Sequence, residues 1–233
     1  MNAPLVEVVF ELRFPGNFAV YAGLDRFQQT LGEEFPSLLV PKVHAGEAPA
    51  LEPYQWQSED GSRSISVALN LFSFMSRQYG VFGEFQSEFR KHADSFFGIY
   101  RPKKFTRMGL RFINLFPQLD SSVSALHPWL DLGMRTPVNP DGIVREIQGS
   151  MVVEVPPSIL RLTFGKAIQS IPRPGSAFAG LVEGFVLDFD FYREGSIPPE
   201  EMSSFLESGH ETIESWFFSL LKPEALNMLE GRT

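Results

Sequence analysis

Residues 5–14 alternate well. Val6, Val8, Phe10, Leu12 and Phe14 fall on one side, and Glu7, Val9, Glu11 and Arg13 on the other. A period of two sends successive side chains to opposite faces of an extended backbone, so this segment is a strand with one buried face. Pro15-Gly16-Asn17 ends it. Val20, Leu24, Phe27, Leu31 and Phe35 then recur at helical spacing and predict a helix over 18–34, closed by Pro36. Residues 38–45 and 51–58 read as strands, held to edges by Pro41, Pro49 and Pro53. Asp60-Gly61 is a turn signal leading into a strand over 62–69, and 71–79 continues the sheet after a reversal at Asn70.

A second helix is predicted from Val81, with Phe82, Phe85, Phe89, His92 and Phe96 as one stripe and Gly98 as its end. A strand over 105–116 follows. Residues 117–142 are rich in Pro, Ser, Gly and Asp, and suggest a long connection or internal boundary with a short helix near 124–132. Strands are expected at 143–155 and 158–168, joined by Pro156-Pro157, and then a mobile surface loop at 169–180. The strand over 183–193 sets Phe185, Leu187, Phe189 and Phe191 against Asp188 and Asp190. A long C-terminal helix is predicted next, capped by Ser196, with Pro198 and Pro199 in its first turn and Met202, Leu206, Ile213, Phe217 and Leu220 as its stripe. Pro223 opens a last short helix. The sum is an α+β fold: a curved, mostly antiparallel sheet with helices on one face, in a single domain over 1–233.

Composition narrows the function. The chain has no cysteine, which removes thiol catalysis, disulfides and cysteine-ligated zinc, and fits a reducing compartment. The apolar run after Pro4 is broken by Glu7 and Glu11 with no basic segment before it, so no signal peptide is expected. No stretch is long and apolar enough for a membrane helix, and the expected location is the cytoplasm. A net charge of −8 argues against nucleic acid as a partner, although Arg101, Lys103, Lys104, Arg107 and Arg111 make a local basic run. Phenylalanine is abundant, with 23 residues against 5 Tyr and 3 Trp, and it has no polar tip to bring to the surface. It belongs in the core, with some left to cover a partner.

The residues that carry candidate chemistry lie on the polar sides of three strands. In Arg107-Met108-Gly109-Leu110-Arg111-Phe112-Ile113-Asn114, both arginines share a face with a glycine between them. Arg13, Arg107 and Arg111 form a candidate anion site, because a guanidinium grips a carboxylate or phosphate through two parallel N–H donors. Glu7 with Glu11, and Asp188 with Asp190, are candidate magnesium or manganese ligands if the polar face curls into a cleft. That arrangement is similar to the triphosphate-tunnel phosphohydrolases, but Val9 stands where their acidic strand motif wants an acid, and Arg13 where it wants lysine. The plain alternative is a solvated face laced with weak ion pairs. Asn114 and His210 are further candidates. His92 reads as a histidine bonded at the edge of the core, or else a base in an aromatic pocket. P-loop, G-x-G-x-x-G, nucleophile-elbow and H-E-x-x-H motifs are absent from the sequence.

Three segments taken in order resemble a sporadically distributed family of uncharacterised bacterial proteins. They are the opening Pro4-Leu5-Val6-Glu7-Val8-Val9-Phe10-Glu11-Leu12-Arg13-Phe14, the central strand quoted above, and the helix from Gly209-His210-Glu211 to Leu226. The resemblance implies one full-length bacterial domain and brings no activity with it. The functional expectation is a non-catalytic binding or regulatory module that acts through a protein partner or self-association and needs no cofactor. The alternative is a metal-dependent phosphohydrolase-like enzyme using Mg or Mn on the charged sheet face.

Overall fold

The computed structural model describes residues 4–40, 53–117, 130–133, 147–172 and 179–229. Nine strands pair throughout in antiparallel fashion: β1 (Leu5–Arg13), β2 (Ser37–Leu39), β3 (Tyr54–Gln57), β4 (Arg63–Ala68), β5 (Leu71–Ser76), β6 (Phe105–Pro117), β7 (Gln148–Val155), β8 (Ser158–Pro172) and β9 (Ala179–Ile197). Their order is β2-β3-β4-β5-β1-β6-β9-β8-β7, an open curved sheet. The helices are α1 (Ala19–Ala22), α2 (Leu24–Leu31), α3 (Phe82–Ile99), α4 (Met202–Ser219) and α5 (Pro223–Leu229). No described helix is long and apolar enough to cross a membrane.

Alternation fixes which face the helices cover. Val8, Phe10 and Leu12 of β1, Phe72 and Phe74 of β5, Met108 and Leu110 of β6, and Phe189 and Phe191 of β9 are all buried in one core. Phe10 meets Phe89 of α3 edge-on at 4.6 Å and stacks with Phe205 of α4 at 6.0 Å, so the two long helices share the centre of the sheet. Gly209 lets α4 lie close, because a Cβ there would come within 2.8 Å of Phe191 Cδ1. Most phenylalanine is consumed by this core, and Phe18 and Phe218 remain exposed. Burying such a ring is worth roughly 1.5–3 kcal/mol.

Several boundaries differ from the sequence reading. The helix expected over 18–34 breaks at Gly23 into α1 and α2, and ends in a 3-10 turn, Gly32–Glu34, where Gly32 takes φ 54°. Ser196 does not cap a helix. β9 stays paired with β6 as far as Ile197, which holds Ser196 extended, and a 3-10 turn at Pro199–Glu201 precedes α4. The loop expected at 169–180 is shorter, because β8 and β9 pair out to Pro172 and Ala179; residues 173–178 lie outside the described set. Most of 117–142 also lies outside it. Where it is described, Leu130 bridges Leu221 in antiparallel fashion and Asp131 donates its N–H to Leu220 O at 2.9 Å, so these residues are not helical.

Candidate functional site

The uncovered face of the sheet gathers the charged residues because β1, β6, β9 and β8 are neighbours. The register sets Glu11 opposite Gly109, Arg111 opposite Asp190, and Arg161 opposite Asp190 on the other side. The ion pairs run diagonally across this ladder. Arg107 donates from Nη1 to Glu11 Oε1 at 2.9 Å and from Nη2 to both oxygens of Asp190 at 3.1 and 2.9 Å. Arg111 holds both oxygens of Asp188 at 2.8 and 2.6 Å. Arg13 Nε donates to Glu11 Oε1 at 2.7 Å.

Gly109 makes the Arg107 contacts possible. A Cβ at 109 would sit 2.9 Å from Arg107 Cζ, so any larger residue displaces the guanidinium that lies across it. The glycine between the two arginines is thus a space requirement of the ion-pair network.

These side chains line an open concavity of about 410 Å³, bounded also by Val9, Arg161 and Thr163. Four guanidiniums and three carboxylates face it, a local balance of +1 (4 − 3) in a chain of net charge −8. Exposure sets Arg13 and Arg111 apart from the acids and from Arg107, whose side chain retains only 18% of its surface. Glu11, Asp188 and Asp190 retain 22, 18 and 24% of their side-chain surface, whereas Arg13 and Arg111 retain 50 and 49%. Arg161 is exposed, with its guanidinium 5.6 Å from the Tyr192 ring centroid. Burial pushes the Asp190 carboxyl above its ordinary range despite the opposing pull of Arg107. The hydrogen bond to Asp188 raises Arg111, and the one to Glu11 raises Arg13, which keeps both firmly charged.

The structure therefore gathers Arg13, Arg107, Arg111, Glu11, Asp188 and Asp190 in one concavity. Glu7 stands apart from its lining and accepts from Arg77 Nε at 2.9 Å. Asn114 is buried within the sheet, with Nδ2 3.5 Å from Leu187 O. His210 lies in the helix layer, stacked on Phe82 at 3.9 Å, and burial lowers its pKa. Arg161 and Thr163 were missed, although their alternation with Leu160, Leu162 and Phe164 was readable.

A second charged cluster lies on the helix side of the sheet. Glu34, from the 3-10 turn after α2, meets Glu88 and His92 of α3, with one ligating atom from each residue all within 4.8 Å of one another. Among the described residues this is the only such group of three, and Glu7, Glu11, Asp188 and Asp190 form none. Arg63 Nη1 bridges Glu34, at 3.0 Å, and Glu88. His92 is 1% exposed between the rings of Phe35 and Phe74, and burial drives its pKa down to about 4. It is enclosed by aromatics, as one expectation had it, but its Nε2 finds no hydrogen-bond partner among the described residues. Of the bonding in the other expectation, the structure shows Nε2 at 3.6 Å from Glu34 Oε1.

No protein-family model and no curated protein matches the chain. The resemblance carried by the three sequence segments rests on those residues alone.

Proposed function

We propose that this protein is a non-catalytic cytoplasmic binding module whose concave charged face receives an acidic segment of a protein partner. One observation carries the reading: the carboxylates and Arg107 lie against the sheet, while Arg13, Arg111 and Arg161 stand toward solvent. Among the described contacts Arg13 uses only Nε, and Arg161 has no acidic partner, so both retain donors for an incoming carboxylate. Glu11 and Asp188 hold Arg13 and Arg111 in place, which lowers the entropy that docking must overcome. The lining offers Thr163 as its one hydroxyl and no imidazole.

The alternative, a metal-dependent enzyme acting on a phosphate ester, draws support from the convergence of Arg107, Arg111, Glu11 and Asp190 in one concavity. It requires free carboxylates, and each of these acids is already engaged by an arginine.

Calorimetric titration of the full chain with an oligo-glutamate peptide, and with tripolyphosphate with and without Mg²⁺ or Mn²⁺, separates the two. The binding-module reading expects peptide association that weakens with salt, is indifferent to the metal, and falls about tenfold in Arg161→Ala. Absence of peptide binding at low salt sinks it. Release of phosphate that needs Mn²⁺ and is lost in Asp190→Asn replaces it with the enzyme.

A further inference from the structure

We infer that Glu34, Glu88 and His92 form a binding site for a divalent transition-metal ion of the zinc class, with the Arg63 guanidinium competing for the two carboxylates. The inference is independent of the charged concavity.

The first support is the geometry. His92 Nε2 lies 3.6 Å from Glu34 Oε1. That is beyond a sound N–H···O hydrogen bond. Two ligands on one tetrahedral zinc, each bound at about 2.0–2.2 Å, stand roughly 3.3–3.6 Å apart. Glu88 and His92 are one helical turn apart on α3, a spacing that places both side chains on one face.

The second support is the orphaned nitrogen. A buried polar atom without a partner is rare in folded proteins and calls for an explanation. The His92 ring is held at 5.1 Å from Phe35 and 5.8 Å from Phe74, so it has little room to turn elsewhere.

Arg63 explains how the cluster persists without metal. It continues the inward row of Ile65 and Val67 on β4, so it reaches beneath α3, and one guanidinium nitrogen stands between two carboxylates where a cation is needed. Lys91 holds the other Glu34 oxygen from the solvent side at 2.5 Å. One divalent ion carries the charge that Arg63 and Lys91 supply together. Arg63 retains 27% of its side-chain surface and can swing outward, whereas His92 retains 2% and cannot. One imidazole and two carboxylates are a mixed nitrogen and oxygen set that suits zinc, and the Irving–Williams order ranks zinc above manganese there.

Zinc chloride titration of the full chain, with Co²⁺ absorption as a spectroscopic probe, tests this. The expected result is one saturable ion per chain, with visible ligand-field bands for Co²⁺. Glu88→Gln, at a partly exposed position, should weaken zinc affinity by about a hundredfold, and His92→Gln by at least as much. Arg63→Gln should bind zinc about tenfold more tightly and gain more in Tm from zinc than the parent chain does. Asp190→Asn, in the other cluster, should bind as the parent does. Failure of both the parent chain and Arg63→Gln to bind one saturable ion overturns the inference. So does zinc affinity unchanged by Glu88→Gln, which remains decisive if His92→Gln does not fold.

Discussion

On the open face of the sheet each acid of the concavity meets a guanidinium, whereas beneath α3 a histidine nitrogen has no hydrogen-bond partner among the described residues. The two clusters use the same chemistry, arginine against carboxylate, at similar exposure of the charged groups, and differ in the buried His92. The open face borders water, where paired charges cost little and side chains can re-form their contacts. The cluster beneath α3 is walled by Phe35 and Phe74, and an unpaired buried polar atom there costs roughly 1–3 kcal/mol. The acids of the concavity are all paired, while Arg161 has no acidic partner among the described contacts. The proposed zinc site would give this orphan nitrogen its partner.

The sharpest way to break this contrast is to unpair the open face. Arg107 serves both Glu11 and Asp190 and retains only 18% of its side-chain surface. Arg107→Ala leaves two partly buried carboxylates without their shared partner. The expected loss is about 3 kcal/mol, the low end for a broken buried pair because the site is open. Urea denaturation checks it. A loss below about 1 kcal/mol would mean that water compensates the acids as well as Arg107 does.

The cluster beneath α3 should reveal itself through pH. Burial holds His92 neutral in the folded chain, with its pKa lowered from 6.5 to about 4. The unfolded chain takes up that proton as pH falls below 6.5, so stability from this group is intact above that value and is lost progressively toward 4. By pH 5 the loss should be roughly 2 kcal/mol. His92→Leu removes the titrating group, so the parent chain, kept metal-free with chelator, should lose more stability than the variant between pH 7 and 5. Parallel curves for the two would show that His92 is charged, or bonded, when folded.

The two clusters were not equally legible in the sequence. Alternation alone placed Glu11, Arg13, Arg107, Arg111, Asp188 and Asp190 on the polar sides of their strands. It could not show that β1, β6 and β9 are consecutive in the sheet, because strand order is set by long-range packing. Diagonal pairing across the ladder therefore stayed conditional. Arg161 stood in a readable strand, but its relation to Asp190 also depends on strand order. Glu34, Glu88 and His92 were harder still. Glu88 and His92 carry a helical spacing that a local pattern can show, but Glu34 is 54 residues before Glu88 (88 − 34) and arrives through a 3-10 turn started by Gly32. Ser196 was misread because the pairing of β9 with β6 overrode a local capping signal, and Gly23 lies against Ile99 of α3, a contact that no local pattern shows.

A smaller effect tests the space beneath Arg107. Gly109→Ala places a methyl group against the guanidinium, which must leave Glu11 or Asp190. The expected destabilisation is about 1–2 kcal/mol, less than Arg107→Ala because the arginine keeps one partner. In a double-mutant cycle with Arg107→Ala the Gly109→Ala cost should largely vanish. An additive cycle would show that the glycine serves the backbone.

The mildest change separates scaffold from binding surface. Arg111 holds Asp188 with two hydrogen bonds but is half exposed, so the pair lies in the range of surface salt bridges. Arg111→Ala should cost no more than about 1 kcal/mol, and less at high salt. The same substitution removes a charge that faces the concavity, so oligo-glutamate affinity should fall about tenfold while Tm scarcely moves. The opposite split, a clear drop in Tm with unchanged peptide affinity, would assign Arg111 to the fold. The outward arginines would then be no more than the solvated half of an ordinary antiparallel sheet.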